Sequence, residues 1–359
     1  MRYLLLFAPF LFILACQAVE SPVPVSAEPV SYDKSAPVET HGLGKAWLSE
    51  YGFFTGRLAD LQPAAGVLPY ALNAPLFSDY TEKARFLHLP PGTAADYHAS
   101  EVLEFPVGTT IIKNFYYTDH AADAPQRRIL ETRLLVRQAD EWQPLSYIWD
   151  EAQTDAKFSI LGATLPAAWT EVDGTRRAFD YAVPDLNQCK SCHARDGETH
   201  PIGPSARQLN GDFAYAHGTQ NQLNYLAAEG HLTNLPEAAT LPRLASYTNA
   251  TAPLTGRARA YLDANCGHCH RPEGSAKTSG LDLLASATDA YRLGIRKPPV
   301  AAGKASGDRR YSIVPGRPDE SILLYRMEHS DPEIAMPELG RQLVHEEGVA
   351  LIREWIAGL

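Results

Sequence analysis

The sequence is short of sulfur and of positive charge. Its 359 residues include three methionines (Met1, Met327 and Met336) and five cysteines (Cys16, Cys189, Cys192, Cys266 and Cys269). One cysteine stands alone near the amino terminus. The other four form two close pairs, so no obvious set is left over for disulfides. The formal net charge is −10, with no long basic run. That excludes the cationic face that nucleic-acid binding requires. Charged residues are 21% and hydrophobic residues 45% of the chain, which excludes a disordered composition and supplies cores for two or three domains. Long apolar runs are also scarce. Tyr3 to Ala15 is nearly all apolar, broken by Pro9. It is too short for a permanent bilayer span and, preceded by Arg2, fits a signal-peptide core. No fixed-period repeat is present.

What is present is one five-residue motif, twice. Cys189-Lys190-Ser191-Cys192-His193 and Cys266-Gly267-His268-Cys269-His270 both read C-x-x-C-H, the attachment signature of a c-type haem. Each cysteine can form a thioether with one of the two haem vinyl groups, and the histidine that follows lies under the iron. The pattern assigns Cys189, Cys192, Cys266 and Cys269 to two covalently bound haem c groups, with His193 and His270 as iron ligands. A Cys₄ zinc site is the competing reading of two such pairs. Their wide separation and the histidine after each pair argue against it. Neither motif sits in the βαβ pattern of a thioredoxin-like site.

The fold expected from the rest of the chain is α+β and multidomain. An N-terminal β-sandwich-like domain is followed by mainly α-helical, cytochrome c-like haem domains. Residues 1–16 form the signal peptide and 17–44, rich in Pro, Ser, Val and Glu, a flexible linker. Residues 45–184 form the β-rich domain, after a short helical turn at Lys45–Tyr51. Strands are expected at Thr109–Thr118, Ile129–Arg137 and Gln143–Asp150. In the second, Leu130, Thr132, Leu134 and Val136 take one face, and Glu131, Arg133 and Arg137 the other. Asp79, Glu82, Asp119, His120 and Asp150 read as turns, caps or solvated groups rather than catalysts. Residues 185–255 form the first haem-binding region, with a helix at Thr219–Glu229, and 256–359 the C-terminal domain. There, helices at Gly256–Asn265 and Glu346–Leu359 resemble the paired helices of single-domain c-type cytochromes.

Such a domain takes a sixth iron ligand from a later loop. Met336, in Ile334-Ala335-Met336-Pro337, is the expected ligand; Met327, at helical spacing behind Ile322-Leu323-Leu324, reads as core. A thioether ligand raises the reduction potential relative to a second histidine. For the first haem the distal ligand is open between His200, His217, His231, Met327 and none. Pro201-Ile202-Gly203-Pro204 with Leu209 resembles the segment in which a proline carbonyl holds the proximal histidine, so Pro204 is expected to orient His193.

Two wider resemblances follow. Ile13-Leu14-Ala15-Cys16 resembles a bacterial lipobox, which implies lipidation of Cys16; Gln17 after it implies sorting to the outer membrane, facing the periplasm. The order of lipobox, β-rich domain, Gln188 to His193, Pro201 to Pro204, Arg259 to Pro272 and Ala335-Met336-Pro337 looks like a family of exported bacterial dihaem c-type proteins. That resemblance implies electron transfer at the cell envelope with redox partner proteins, and a parallel β-helix protein as a further partner. Membrane contact would be through the lipid anchor alone. The alternative function is a haem redox enzyme or enzyme subunit with an open first iron.

Overall fold

The computed structural model describes residues 30–359. The expected signal peptide and Cys16 lie outside the described residues. The centre of the fold is an antiparallel meander of six strands: β1 (Val67–Tyr70), β2 (Glu82–His88), β3 (Thr110–Asp119), β4 (Gln126–Arg137), β5 (Trp142–Trp149) and β6 (Ala156–Ser159). Their spatial order is their chain order, as short antiparallel connections favour. A separate hairpin follows, β7 (Ala163–Thr170) with β8 (Arg176–Val183).

Alternation gives the sheet two faces. One is mainly apolar, and the buried Asn114 and Thr132 on it hydrogen-bond to each other. There Phe86, Ile112, Leu134, Leu145 and Tyr147 pack under Leu48, Phe53 and Leu61 from the preceding segment. Burying side chains of this size stabilises by about 1.5–3 kcal/mol each. Residues 30–34, within the expected linker, lie along this sheet. Tyr32 Oη donates to the Ile148 carbonyl at 3.0 Å, and Lys34 pairs with Asp155 at 2.6 Å.

The opposite face is covered at its two ends. At one end Leu87, Ile111 and Trp142 pack against two short helices, α2 (Ala206–Leu209) and α3 (Gln222–Ala228), preceded in the chain by α1 (Leu186–His193). At the other, Tyr117, Leu130 and Ile148 pack against the β7–β8 hairpin. Between the two covers runs a row of polar residues, and there the sheet floors a cavity.

The expected sandwich followed by mainly helical domains is therefore corrected. Strand exceeds helix, 27% against 21% of residues, and one sheet with a hairpin on part of one face replaces two facing sheets. The haem-motif regions are mostly loop. In the C-terminal region only α4 (Leu254–Asn265), α5 (Ile322–Met327) and α6 (Glu346–Ala357) are α-helical. Between α4 and α5 lie Pro272, Pro298, Pro299, Pro315, Pro318 and seven glycines, which break helical runs. α4 and α6 pack through Tyr261, Leu262, Ile352, Trp355 and Ile356, with Leu324 and Met327 of α5 in the same core.

Candidate functional site

The first motif is carried by α1. Asp185 caps the helix reciprocally with Gln188: its carboxylate accepts the Gln188 N–H at 2.8 Å, and Gln188 Oε1 accepts the Asp185 N–H at 3.0 Å. Cys189, Cys192 and His193 fall at i, i+3 and i+4, hence on one side of the helix. Ser191 turns away, its hydroxyl donating to the Asn187 carbonyl. The helix stops at His193, and the small hairpin of Ala194–Arg195 with Glu198–Thr199 folds the chain straight back. The His200 carbonyl then meets His193 Nδ1 at 2.7 Å. With its Nδ1–H donated there, the ring keeps an Nε2 lone pair free, the second-shell arrangement of metal-bound histidines.

This corrects the expected role of Pro204. Its carbonyl accepts the Leu103 N–H at 3.1 Å instead, because the hairpin returns the chain at His200, four residues earlier. Pro204 remains a wall of the cavity.

The second motif follows α4, whose last turn is tied into the rest of the fold. Asn265 Oδ1 accepts the Phe77 N–H at 2.8 Å, and its amide donates to the Tyr261 carbonyl. The chain then tightens: the Cys269 and His270 N–H groups both donate to the Cys266 carbonyl. Gly267 is required at this turn, since a Cβ would stand 2.9 Å from the Asp263 carbonyl. His270 Nδ1 lies 3.0 Å from Ser279 Oγ, which again leaves Nε2 free when Nδ1 carries the proton.

Met336 lies in a loop held beside this motif. Its N–H donates to the Arg326 carbonyl at 3.0 Å, and Arg341 Nη2 donates to its carbonyl at 2.7 Å. Arg326 is close enough to His270 to add to the depression of its pKa. Met327 is buried in the C-terminal core. Of the other residues weighed as ligands, His217 is exposed, and neither it nor His231 lines the cavity. The His200 ring contacts Arg195 at 3.0 Å, on the side of the chain that holds His193.

The two motifs lie side by side. Arg195 forms a β-bridge with Gly274, and the Asp196 N–H donates to the Glu273 carbonyl at 2.9 Å. The loop between β2 and β3 delivers Glu101 to the junction. Glu101 accepts from Arg195 at 2.7 Å and from Arg271 at 2.6 and 3.0 Å. One carboxylate thus clamps the residues just beyond both motifs. Burial pushes its pKa up, but Arg271, Arg195 and Arg207 together bring it below the usual carboxylate value. Arg207 in turn pairs with buried Asp263 of α4.

Cys189, Cys192 and His193 line the cavity above the sheet, with His268 from inside the second motif. The cavity volume is about 190 Å³. Apolar walls from Ile111, Leu135 and Pro144 meet two orphaned buried groups, Arg85 Nη2 and His268 Nδ1. Burial pushes the histidines down, His193 and His270 to about 4 and His268 to about 3, so all three rings are neutral near pH 7. It pushes the Cys192 thiol up to about 11 and Cys266 to about 12. The four thiols are free of disulfides. Neutral imidazoles, free thiols, apolar walls and the unsatisfied Arg85 guanidinium together fit a covalently bound haem at the first motif. At the second, the free thiols, the held imidazole and the neighbouring Met336 loop fit one as well.

Among the described residues, no group of three or more His, Cys, Asp or Glu is arranged to hold a metal ion. Of the carboxylates read as turn, cap or solvated groups, Asp119 and Asp150 serve turns, whereas Asp79 is buried in a contact across the fold. Asp119 accepts the Ala121 and Thr170 N–H groups, Asp150 the Thr154 N–H, and buried Asp79 those of Gln342 and Leu343. Sequence reasoning missed Glu101, Arg85, Lys113 and His268. The one local signal was Lys113, a cation in the middle of the apolar run Thr109–Thr118. No family model, no curated protein and no solved structure matches this chain.

Proposed function

We propose that this protein is a dihaem c-type cytochrome of the bacterial cell envelope that passes electrons between redox partner proteins. Cys189 and Cys192 would hold one haem, with His193 on its iron; Cys266 and Cys269 would hold the other, between His270 and Met336. Bound, the two groups supply one-electron Fe(II)/Fe(III) exchange. The chain's own residues do the rest. The His200 carbonyl and Ser279 fix the two proximal rings, and Glu101 fixes the motifs to each other. The supporting observation is this pairing: two C-x-x-C-H sites, each with its imidazole Nδ1 engaged, joined by a single carboxylate. We further propose export, a lipid anchor at Cys16 in the outer membrane facing the periplasm, and docking to a parallel β-helix protein. Among the described residues, no helix is long and apolar enough to cross a membrane.

The test is expression with haem-maturation machinery. The expected product is red, carries two covalent tetrapyrroles by intact mass, and is reduced and reoxidised reversibly. A colourless chain of unmodified mass, or iron-free protein loaded with zinc, overturns the proposal.

One observation favours a second reading, a redox enzyme with an open first iron: His217, His231 and Met327 do not line the cavity, and His200, which does, is tied through its carbonyl to His193 and through its ring to Arg195. A high-spin first haem whose spectrum shifts with carbon monoxide or cyanide supports this reading. Two low-spin six-coordinate haems support the electron carrier.

A further inference from the structure

The polar row on the open face of the sheet is built from cations. Strand register places Arg85 directly opposite Lys113, Lys113 opposite Arg133, and Arg133 opposite Ser146. Like charges facing each other across strands are destabilising. Arg133 is neutralised by Glu131, which it meets at 2.5 and 2.8 Å. Arg85 and Lys113 are not: among the described residues neither makes an ion pair. Arg85 is 8% exposed, and its Nη2 is buried without a hydrogen-bond partner. Lys113 rests its ammonium 4.5 Å from the Phe115 ring centre. Lys83, two residues before Arg85, adds a further cation on the same side of β2. Burial and these neighbouring cations push Lys113 well below the usual lysine pKa.

Both unpaired groups line the cavity. The cavity's remaining cations, Arg195, Arg207 and Arg271, are already matched by Glu101, Asp263 and Glu273. Among the described residues lining the cavity, Arg85 and Lys113 are therefore the cations left for an entering anion; His268 Nδ1, also without a partner, belongs to a neutral ring. A guanidinium is suited to a carboxylate in particular, through its planar fork.

The row also has a direction. Ser146, at its far end, stands beside the Cys189 thiol. From Ser146 to Arg85 is three strand spacings, about 14 Å. A haem carries its vinyl groups on one edge and its two propionates on the opposite edge. A ring tethered through Cys189 and Cys192 therefore directs its carboxylates away from the β5 end of the row.

We propose that Arg85 and Lys113 form a carboxylate-binding site whose occupant is the propionate edge of the haem carried by Cys189, Cys192 and His193. This rests on the functional reading above and names the residues that neutralise that group. The cations, idle and mutually repelling without it, become its counter-charges.

The experiment uses full-length matured protein as wild type, Arg85→Gln, Lys113→Gln and Arg85→Lys. Intact mass is read first, and two added tetrapyrroles secure the underlying reading. Resonance Raman spectra then report the propionate bending band of the first haem, assigned by its loss in a Cys189→Ala/Cys192→Ala chain. The expected result is a shifted band and a lowered first-haem potential in the Gln variants, an unmoved second potential, and partial recovery in Arg85→Lys. An unchanged band in both Gln variants overturns the proposal. So does an acetate or nitrite titration that shifts the wild-type spectrum but not that of Arg85→Gln, because the anion is then a free one. If the mass shows no haem, the functional reading fails and the propionate assignment with it. Calorimetry of that same chain with succinate then shows whether any carboxylate site survives there: saturable heat absent from Arg85→Gln retains one, and no heat removes it.

Discussion

The Glu101 clamp makes a quantitative prediction. Glu101→Gln keeps the shape of the side chain and removes its charge. Three charge-assisted hydrogen bonds, at 2.6, 2.7 and 3.0 Å, are weakened together. Hydrogen bonds to charged groups contribute about 1.5–3 kcal/mol each when both partners are shielded. Here the shielding is partial, with Glu101 26%, Arg195 28% and Arg271 12% exposed, and both arginines keep a second partner, His200 or Glu273. The net loss is accordingly set at about 2–3 kcal/mol rather than three full bonds. Urea unfolding of the matured protein should show a lower midpoint at unchanged slope. The pH dependence carries the sign. Because the native carboxyl titrates below its unfolded value of about 4.3, the clamp contributes fully above that pH. Its contribution fades as pH falls through the lowered native value, so wild type and variant should converge in acid. A loss under about 0.5 kcal/mol at neutral pH, in the range of exposed ion pairs, would refute the clamp. So would a difference that persists unchanged when the carboxyl is protonated. A double-mutant cycle with Arg271→Met should give a coupling above about 1 kcal/mol.

Three further outcomes follow from single contacts. Met336→Ala should abolish the thioether-to-iron absorption band and lower the potential of the second haem; an unchanged spectrum removes Met336 from the ligand set. Gly348→Ala places a methyl 2.3 Å from Tyr261 Oη where α6 crosses α4, and should cost about 1–3 kcal/mol by overpacking, read as a lower thermal midpoint with haem content intact. An unaltered midpoint would mean the helices pack less closely than described. Asp185→Ala removes the cap of α1 and should cost about 1 kcal/mol, whereas Asp185→Asn, which still accepts the Gln188 N–H, should cost less.

Local pattern reached much of the fold. The strands expected at Thr109–Thr118, Ile129–Arg137 and Gln143–Asp150 fall within a few residues of β3, β4 and β5, and the expected helices at Gly256–Asn265 and Glu346–Leu359 coincide closely with α4 and α6. Two errors have clear causes. Leu130 was grouped with Leu134 by alternation, yet it packs against the β7–β8 hairpin on the opposite face, because the β3–β4 register shifts at Phe115/Tyr116. The stretch Thr219–Glu229 begins as strand, with the helix delayed until Asn221 can accept the Leu223 and Asn224 N–H groups. The sandwich was inferred from strand spacing, which does not determine how many sheets the strands form.

The functional centre divides along the same line. The proposed attachment cysteines and proximal histidines are written in five consecutive residues, so a single sequence displays them. Glu101 reaches Arg271 across 170 positions of chain, and no periodicity announces such a return. The cations are the sharper case. Alternation alone groups Arg133 with Glu131 on one side of β4, and says nothing of what stands across from either. That Arg85, Lys113 and Arg133 share one row depends on the register of two strand pairs, and a slip of one residue in either would break the row by turning a neighbouring strand's cation to the other face. The apolar packing on the other side of the sheet, Phe86 against Ile112 against Leu134, fixes that register. The core that stabilises the sheet therefore also sets two unpaired cations, Arg85 and Lys113, beside the Arg133–Glu131 pair above it. Such an arrangement is tolerable where an anion belongs, which makes the cost of the row an argument for its occupant.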